Sequence, residues 1–281
     1  MIKLLATDLD GTLLRSDGTV SDRTRDALQR AEAGGLLVAF ATGRPPRWLF
    51  DVANETGHTG VAVAANGAVL FDLATDTVIA DHVLTVELMT EVTAILRSKF
   101  PEIVFGIEYG DNPVRSVAPH TTFGAEPAYR HEWEVSPARD RSGNPLPLPL
   151  VADLQTIISQ PGVKLLAKDR SANPDTFLRA ATELIGARVS VTHSSSIGLL
   201  EIGAVGITKA SGLAYLAEQH GIDRADVAAV GDMPNDLPML AWAAHSYAVA
   251  NAHPSVLEIA QYRLPSNDED AVAQLIDSLL D

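Results

Sequence analysis

Two stretches of this sequence alternate short apolar runs with amphipathic segments, and a differently patterned stretch separates them. At the start, Ile2–Thr7 reads as a buried strand, and Ser21 caps a helix over Asp22–Ala33 that Gly34-Gly35 stops. Leu36–Ala41 follows as a second strand, Pro45–Glu55 as a helix and Gly60–Ala65 as a third strand. At the end, Lys209–His220 reads as a helix, Asp226–Val230 as a strand, Asp236–Ala244 as a helix, Tyr247–Ala250 as a strand and Pro254–Ala260 as a helix. Such alternation predicts a doubly wound parallel α/β sheet. The middle breaks the pattern. Thr85–Phe100 is an amphipathic helix carrying Leu88, Val92, Ile95 and Leu96 on one face. Ile103–Tyr109 and Val163–Ala167 read as strands, Asp175–Ile185 as a helix, and Arg188–His193 with Gly198–Ile202 as a strand pair. We therefore expect an α/β core of residues 1–82 and 204–281 with an α+β domain, residues 83–203, inserted into it.

Ligands of open α/β sheets bind beyond the carboxyl ends of the strands, and there the sequence is consistently polar. The first strand runs into Asp8-Leu9-Asp10-Gly11-Thr12, the second into Thr42-Gly43-Arg44, and the third into Asn66-Gly67. The strand near Val230 runs into Gly231-Asp232-Met233-Pro234-Asn235-Asp236. Asp8 and Asp10 fall on one side by strand periodicity, unless the turn at Gly11 rotates Asp10. One carboxylate of such a pair can attack an electrophile while the other handles a proton, and both are hard oxygen ligands suited to Mg²⁺. Asp17-Gly18 is a hairpin signal and predicts a small flap beside Asp8.

Composition narrows the partners. The formal net charge is −15, which argues against nucleic acid and against an anionic membrane surface. Attraction for a phosphate would have to be local, from a metal, a few cations or helix N-termini. The 281 residues include no cysteine, so disulfides, thiolate metal sites and cysteine nucleophiles are excluded. A strand begins almost at Met1 and no long uncharged apolar run follows, so the expectation is a cytoplasmic protein without a membrane span.

The four polar strand ends, taken in order with Gly206-Ile-Thr-Lys209, resemble the motifs of the haloacid dehalogenase (HAD) superfamily. The placement of the insertion, together with Ala-Thr-Gly-Arg44, Ala65-Asn-Gly-Ala68, Glu201-Ile202 and Ser266-Asn-Asp-Glu-Asp270, is similar to the Cof-like, type IIB branch with its C2-type cap. The resemblance implies a Rossmann-like core and a covalent mechanism. Asp8 would be the nucleophile, Asp10 the general acid and base, Thr42 a phosphoryl-oxygen ligand and Lys209 the neutralising cation. Mg²⁺ would be held by Asp8, the Asp10 carbonyl and Asp232, with Asp236 in the metal shell. Gly11, Gly43, Arg44, Asn66 and Asn235 would line the phosphate and substrate site. Two departures from the branch stand at Ala210 and at Asp270-Ala271, where glycine is usual after the lysine and after the aspartate.

The implied activity is Mg²⁺-dependent hydrolysis of small organophosphates, sugar phosphates foremost, by a monomer or homodimer whose partner is a small phosphorylated metabolite. A sugar phosphotransferase or phosphomutase on the same core is the nearest alternative, and a non-catalytic phosphometabolite sensor the more distant one. Other residues carry weaker readings. Arg44 reads as a substrate contact or an anchor of its loop, Arg47 as a substrate contact or a solvated side chain, and Lys164 as a substrate contact or a surface lysine. His193 reads as a surface, cap or core residue more readily than one facing a cleft, and the proline-rich Asn144–Leu150 run as an extended linker or loop more readily than a polyproline ligand.

Overall fold

Leu4–Thr7 (β1) is buried along its whole length, as expected of a central strand covered on both faces. Parallel neighbours flank it: Leu37–Ala41 (β2) after helix Asp22–Ala33 (α1), and Val227–Gly231 (β12, reached after the insertion). Ser21 caps α1 by accepting the Thr24 N–H, as its sequence predicts. Beyond β2 come helix Phe50–Thr56 (α2), the parallel strand Val61–Ala64 (β3), its antiparallel neighbour Val69–Asp72 (β4) and Thr77–Asp81 (β5). The computed structural model describes residues 1–110, 122–129 and 149–280. Most of Asp111–Leu150, including Asn144 to Leu148, lies outside the described residues.

The insertion runs through helix Val86–Lys99 (α3), strands Val104–Glu108 (β6), Phe123–Ala125 (β7) and Leu150–Val151 (β8), and the short helix Leu154–Ile157 (α4). It continues with Lys164–Lys168 (β9), helix Pro174–Ile185 (α5), Val189–Thr192 (β10) and Leu199–Ala204 (β11). Helix Lys209–Gln219 (α6), β12, helix Leu237–Trp242 (α7), His245–Ala248 (β13), helix Pro254–Ile259 (α8), Tyr262–Arg263 (β14) and helix Ala271–Leu280 (α9) complete the chain.

The first sheet has the order β14-β13-β12-β1-β2-β3-β4-β5. Its chain order reverses between β1 and β12, and the crevice outside the carboxyl ends of strands at such a point is where open α/β sheets bind ligands. The sequence missed the antiparallel edge. At Ala65-Asn66-Gly67 the chain takes three consecutive positive φ angles, 49°, 58° and 93°, and doubles back as β4 instead of entering a helix. The expected helix over Pro45–Glu55 is shorter, because Pro46–Trp48 forms a separate 3-10 turn. The expected hairpin at Asp17-Gly18 is a turn without strands. Arg15 N–H donates to Thr19 O, but Asp17 Oδ1 takes the Thr19 N–H and hydroxyl, and Ser16 bonds Asp268.

The second sheet is β10-β11-β9-β6-β7-β8, antiparallel throughout except for β7–β8. Strand alternation puts Phe105, Ile107, Leu165, Ala167, Leu200 and Ile202 against Met89, Val92 and Leu96 of α3 and Phe177, Ala181 and Ile185 of α5. The alternate positions include Glu108, Lys164, Lys168 and Glu201, all buried. By compactness the chain forms two units, Met1–Arg44, Leu49–Ile79 and Thr208–Asp281 in one, Pro45–Trp48 and Ala80–Ile207 in the other. The crossings at Ile79/Ala80 and Ile207/Thr208 lie within a few residues of the expected junctions, and Pro45–Trp48 joins the insertion's unit.

Candidate active site

Asp8 follows β1 directly, and its N–H donates to Val230 O of β12, which holds the side chain at the switch point. Its carboxylate is buried and accepts a hydrogen bond from Lys209 Nζ at 2.5 Å. Lys209 is the first residue of α6, whose capping Thr208 accepts the Ser211 N–H at its hydroxyl and donates its own N–H to Ser211 Oγ. The Lys209 side chain, 0% exposed, also donates to Asp236 Oδ1 at 2.6 Å. The other Asp236 oxygen accepts the Asp232 and Met233 N–H groups. Asp236 therefore fixes both the lysine and the backbone of the loop carrying Asp232.

Thr12 Oγ1 donates to Asp232 Oδ1 at 3.0 Å, joining the loop after β1 to the loop after β12. Gly11, at φ 77°, is required where these loops meet, since a Cβ there would lie 2.4 Å from Asp232 Oδ2. One oxygen each from Asp8, Asp232 and Asp236 lies within 4.8 Å of the others. Burial, with the repulsion of Asp236, pushes the Asp232 carboxyl up to about 7. Burial raises Asp8 well above the carboxylate range, although Lys209 opposes the shift. Burial alone would lower Lys209, but Asp236 and Asp8 outweigh it and raise it, so the ammonium keeps its charge.

Around this acid cluster stand the phosphate-binding candidates. Thr42 is buried at the end of β2, and its hydroxyl accepts the Arg44 N–H at 3.0 Å. The Ala65 and Asn66 N–H groups donate to Arg44 O and Thr42 O, which supports the positive φ at both residues. Asn235 Nδ2 donates to Asn66 Oδ1 at 3.1 Å. Asp8, Gly11, Thr42, Gly43, Arg44, Asn66, Lys209, Asp232, Asn235 and Asp236 thus belong to one unit, on the loops that follow its parallel strands or, for Lys209, at the start of α6. Asp10 also belongs there, but the expectation that it shares a side with Asp8 by strand periodicity is corrected. β1 ends at Thr7, Leu9–Leu13 winds into a π-type turn, and Asp10 is 59% exposed.

The sequence profile of the haloacid dehalogenase-like hydrolases matches residues 5–276. The chain belongs to this family. A 5-amino-6-(5-phospho-D-ribitylamino)uracil phosphatase of Bacillus subtilis (strain 168), YwtE, is 30% identical over 99% of this chain and 98% of its own. In fold the HAD chain is similar to SMU.1108c of Streptococcus mutans UA159, with a TM-score of 0.83, 23% identity and coverage of 100% and 99%. It is also similar to BT4131, a HAD subclass IIB sugar phosphatase, with a TM-score of 0.78, 20% identity and coverage of 99% and 98%. With these relatives the chain is an enzyme of the HAD phosphatase type. Among the described residues no helix is long and apolar enough to cross a membrane.

Several supports of the HAD site were not assigned from the sequence. Asn251, just beyond β13, donates to Gly11 O at 2.8 Å and accepts the Asn267 N–H, and Asn267 Nδ2 bonds Leu14 O. Arg15 pairs with Asp270. The Ser266–Asp270 segment thus braces the loop after β1. Asn251 was detectable as one more polar residue after a strand, whereas the Asn267 and Asp270 contacts span about 250 residues. Both departures from the branch pattern fit the backbone. Ala210 lies inside α6, and Asp270 itself holds the left-handed turn at φ 58°, leaving Ala271 to start α9. Two expectations for the insertion are corrected. Arg47 is buried and forks onto Glu108, so it is not solvated, and Lys164 is buried against Glu201, so it is not a surface lysine. His193 is likewise buried, with Nε2 3.0 Å from Asp175.

Proposed function

We propose that this HAD hydrolase is a Mg²⁺-dependent phosphatase of small organophosphates, with sugar and sugar-alcohol phosphates as the leading class, acting through a phosphoaspartate at Asp8. The observation that carries the reading is the buried cluster of three carboxylates, Asp8, Asp232 and Asp236, in which Lys209 bonds Asp8 and Asp236. Such a set fits a hard divalent cation. All its donors are oxygens, its negative charge exceeds that of the lysine, and Asn235 Oδ1 on the same loop is buried with no partner among the described residues. Asp8, Asp232 and the Asp10 carbonyl would hold Mg²⁺, with Asp236 behind them, and the ion would offset the charge of the phosphoryl group and its nucleophile.

Asp8 is the proposed nucleophile. Its oxygen bonds to phosphorus as the bond from phosphorus to the leaving oxygen breaks, and the electron pair departs with that oxygen, which takes a proton from Asp10. Lys209 stays hydrogen-bonded to Asp8, so a positive charge persists as the carboxylate becomes an ester. Thr42 and the amides near Gly11 and Gly43 would cradle the equatorial oxygens. Asp10 then removes a proton from water, which attacks phosphorus and releases inorganic phosphate and free Asp8. The substrate class rests on relatives. The name of YwtE specifies a phosphorylated ribityl side chain, and that of BT4131 a sugar phosphatase.

A panel of phosphorylated metabolites, assayed for phosphate release with Mg²⁺ and after chelation, tests the reading, alongside mass spectrometry of acid-quenched enzyme for phosphorylated Asp8. We expect release from phosphosugars or phosphoalditols that chelator abolishes. Full activity in excess chelator, or no release from any small phosphate, would refute it.

A further inference from the structure

The nucleophile is buried and immobilised, but the residue expected to move protons is not. Asp10 lies in the turn after β1 with its carboxylate 59% exposed, where an aspartate ordinarily samples several rotamers. Here it is gripped by one residue. Arg44 donates from Nε to Asp10 Oδ2 at 2.8 Å and from Nη2 to Asp10 Oδ1 at 2.6 Å, a two-bond fork that fixes the carboxylate plane as well as its position. Arg44 is itself held. Its side chain is only 24% exposed, its N–H donates to Thr42 Oγ1, and its carbonyl accepts the Ala65 N–H from the left-handed turn after β3.

We propose that Arg44 is the positioning residue of Asp10, coupling the orientation of its carboxylate to the rigid loops after β2 and β3. This rests on the proposed function for the role of Asp10 and extends it to a residue that touches no reacting atom. The fork engages one lone-pair direction of each oxygen and leaves the others for the leaving group and for water. An exposed ion pair contributes little to stability, so the consequence falls on the geometry of proton transfer, where small misplacements are expensive. Lysine cannot replace the fork, because its ammonium is a point charge without a fixed plane.

The test is a double-mutant cycle on the full chain, with ribose 5-phosphate and p-nitrophenyl phosphate as probes. Arg44→Ala should lower kcat for ribose 5-phosphate by ~10–100-fold with KM changed by less than ~3-fold. The phosphorylation step with p-nitrophenyl phosphate, whose leaving group needs little protonation, should suffer less. In the Asp10→Asn background the same Arg44→Ala change should cost less than ~2-fold, because there is nothing left to position. Guanidinium in the buffer should partly restore Arg44→Ala, and Arg44→Lys should remain impaired.

Equal losses in both backgrounds, or a rise in KM alone, would overturn the proposal and make Arg44 a substrate contact. The Arg44 Nε–H resonance reports the fork without turnover. It should be sharp and slowly exchanging in the wild type and lost in Asp10→Asn. A signal indifferent to Asp10→Asn would sink the fork even if the enzyme is a phosphatase. A protein with the signal but no turnover would fail the proposed function and, with no proton transfer to position, would overturn this proposal as well.

Discussion

Each unit buries a cluster of charged side chains, and the two clusters are built on opposite principles. In the insertion's unit, Arg47 forks onto Glu108, and Lys164 bonds Glu201, which also accepts the Ser194 hydroxyl. Arg47 and Lys164 each meet a carboxylate of their own, Lys168 is buried on the same strand face, and strand register sets Glu108 directly opposite Lys164. In the other unit, Asp8 and Asp236 share Lys209, and a third carboxylate, Asp232, lies beside them. A buried cation paired with its own carboxylate has its desolvation offset from within. Carboxylates that outnumber their cation keep a standing demand for positive charge, and burial and mutual repulsion hold Asp8 and Asp232 above the carboxylate range. That excess of carboxylates, rather than the burial of charge, separates a site prepared for a cation and a phosphoryl group from a structural polar core.

The sharpest way to break the contrast is at the nucleophile. Asp8→Asn keeps the shape and the fold but cannot attack, and kcat should fall by at least ~10⁴-fold. Near-normal hydrolysis by the purified variant would end the covalent mechanism. Asp10→Asn should cost ~10²–10⁴-fold, more for an alkyl phosphate than for p-nitrophenyl phosphate in single-turnover phosphorylation. Identical losses with the two leaving groups would remove Asp10 from proton transfer.

The paired charges of the insertion's unit should respond in stability. Glu201→Gln removes the carboxylate that Lys164 bonds and should destabilise the fold by up to about 3–5 kcal/mol, while replacing both partners with well-packed apolar residues should recover most of that loss. Urea unfolding decides it, and a double variant as unstable as the single would show that the pairing is not what matters.

The smallest expected effect is linkage to pH. For an acid whose folded value is raised, the native state binds more protons than the unfolded chain, so stability falls as pH rises from about 4 towards 7. Asp232, pushed up to about 7, should contribute this slope in the metal-free protein. It should appear as the difference between wild type and Asp232→Asn in unfolding measured across that window. Mg²⁺ should flatten the difference and add about 2.7 kcal/mol at a hundredfold excess over its dissociation constant. A difference that rises with pH, or ignores Mg²⁺, would contradict the reading of the acid cluster.

Much of the architecture was legible locally. Apolar runs of strand length marked β1, β2, β3 and β12, and the polar residues after them marked Asp8, Thr42, Asn66 and Asp232, because a strand's end and its loop are neighbours in sequence. Ser21 and Gly34-Gly35 marked α1 for the same reason. The antiparallel edge was overlooked although Asn66-Gly67 is itself a hairpin signal, and only the left-handed angle at Ala65, which alanine does not favour alone, depends on the main-chain bonds that Ala65 and Asn66 donate to Arg44 and Thr42. The hairpin signal at Asp17-Gly18 misled because side chains took the bonds a partner strand would have made.

Charge was where local reading stopped. A lysine on a strand, an arginine after a proline pair and an aspartate two residues past another look alike whether solvated or paired. Periodicity gives the face a side chain occupies but not what arrives opposite it. Lys164 with Glu201, Arg47 with Glu108, Arg44 with Asp10 and Lys209 with Asp8 lie 37, 61, 34 and 201 residues apart. Strand and helix patterns placed each of these groups on an element from nearest-neighbour chemistry. Which opposite charge met it, and whether it had that partner to itself, depended on distances that exist only once the sheets have assembled, because Coulomb and hydrogen-bond energies follow separation in space and not along the chain.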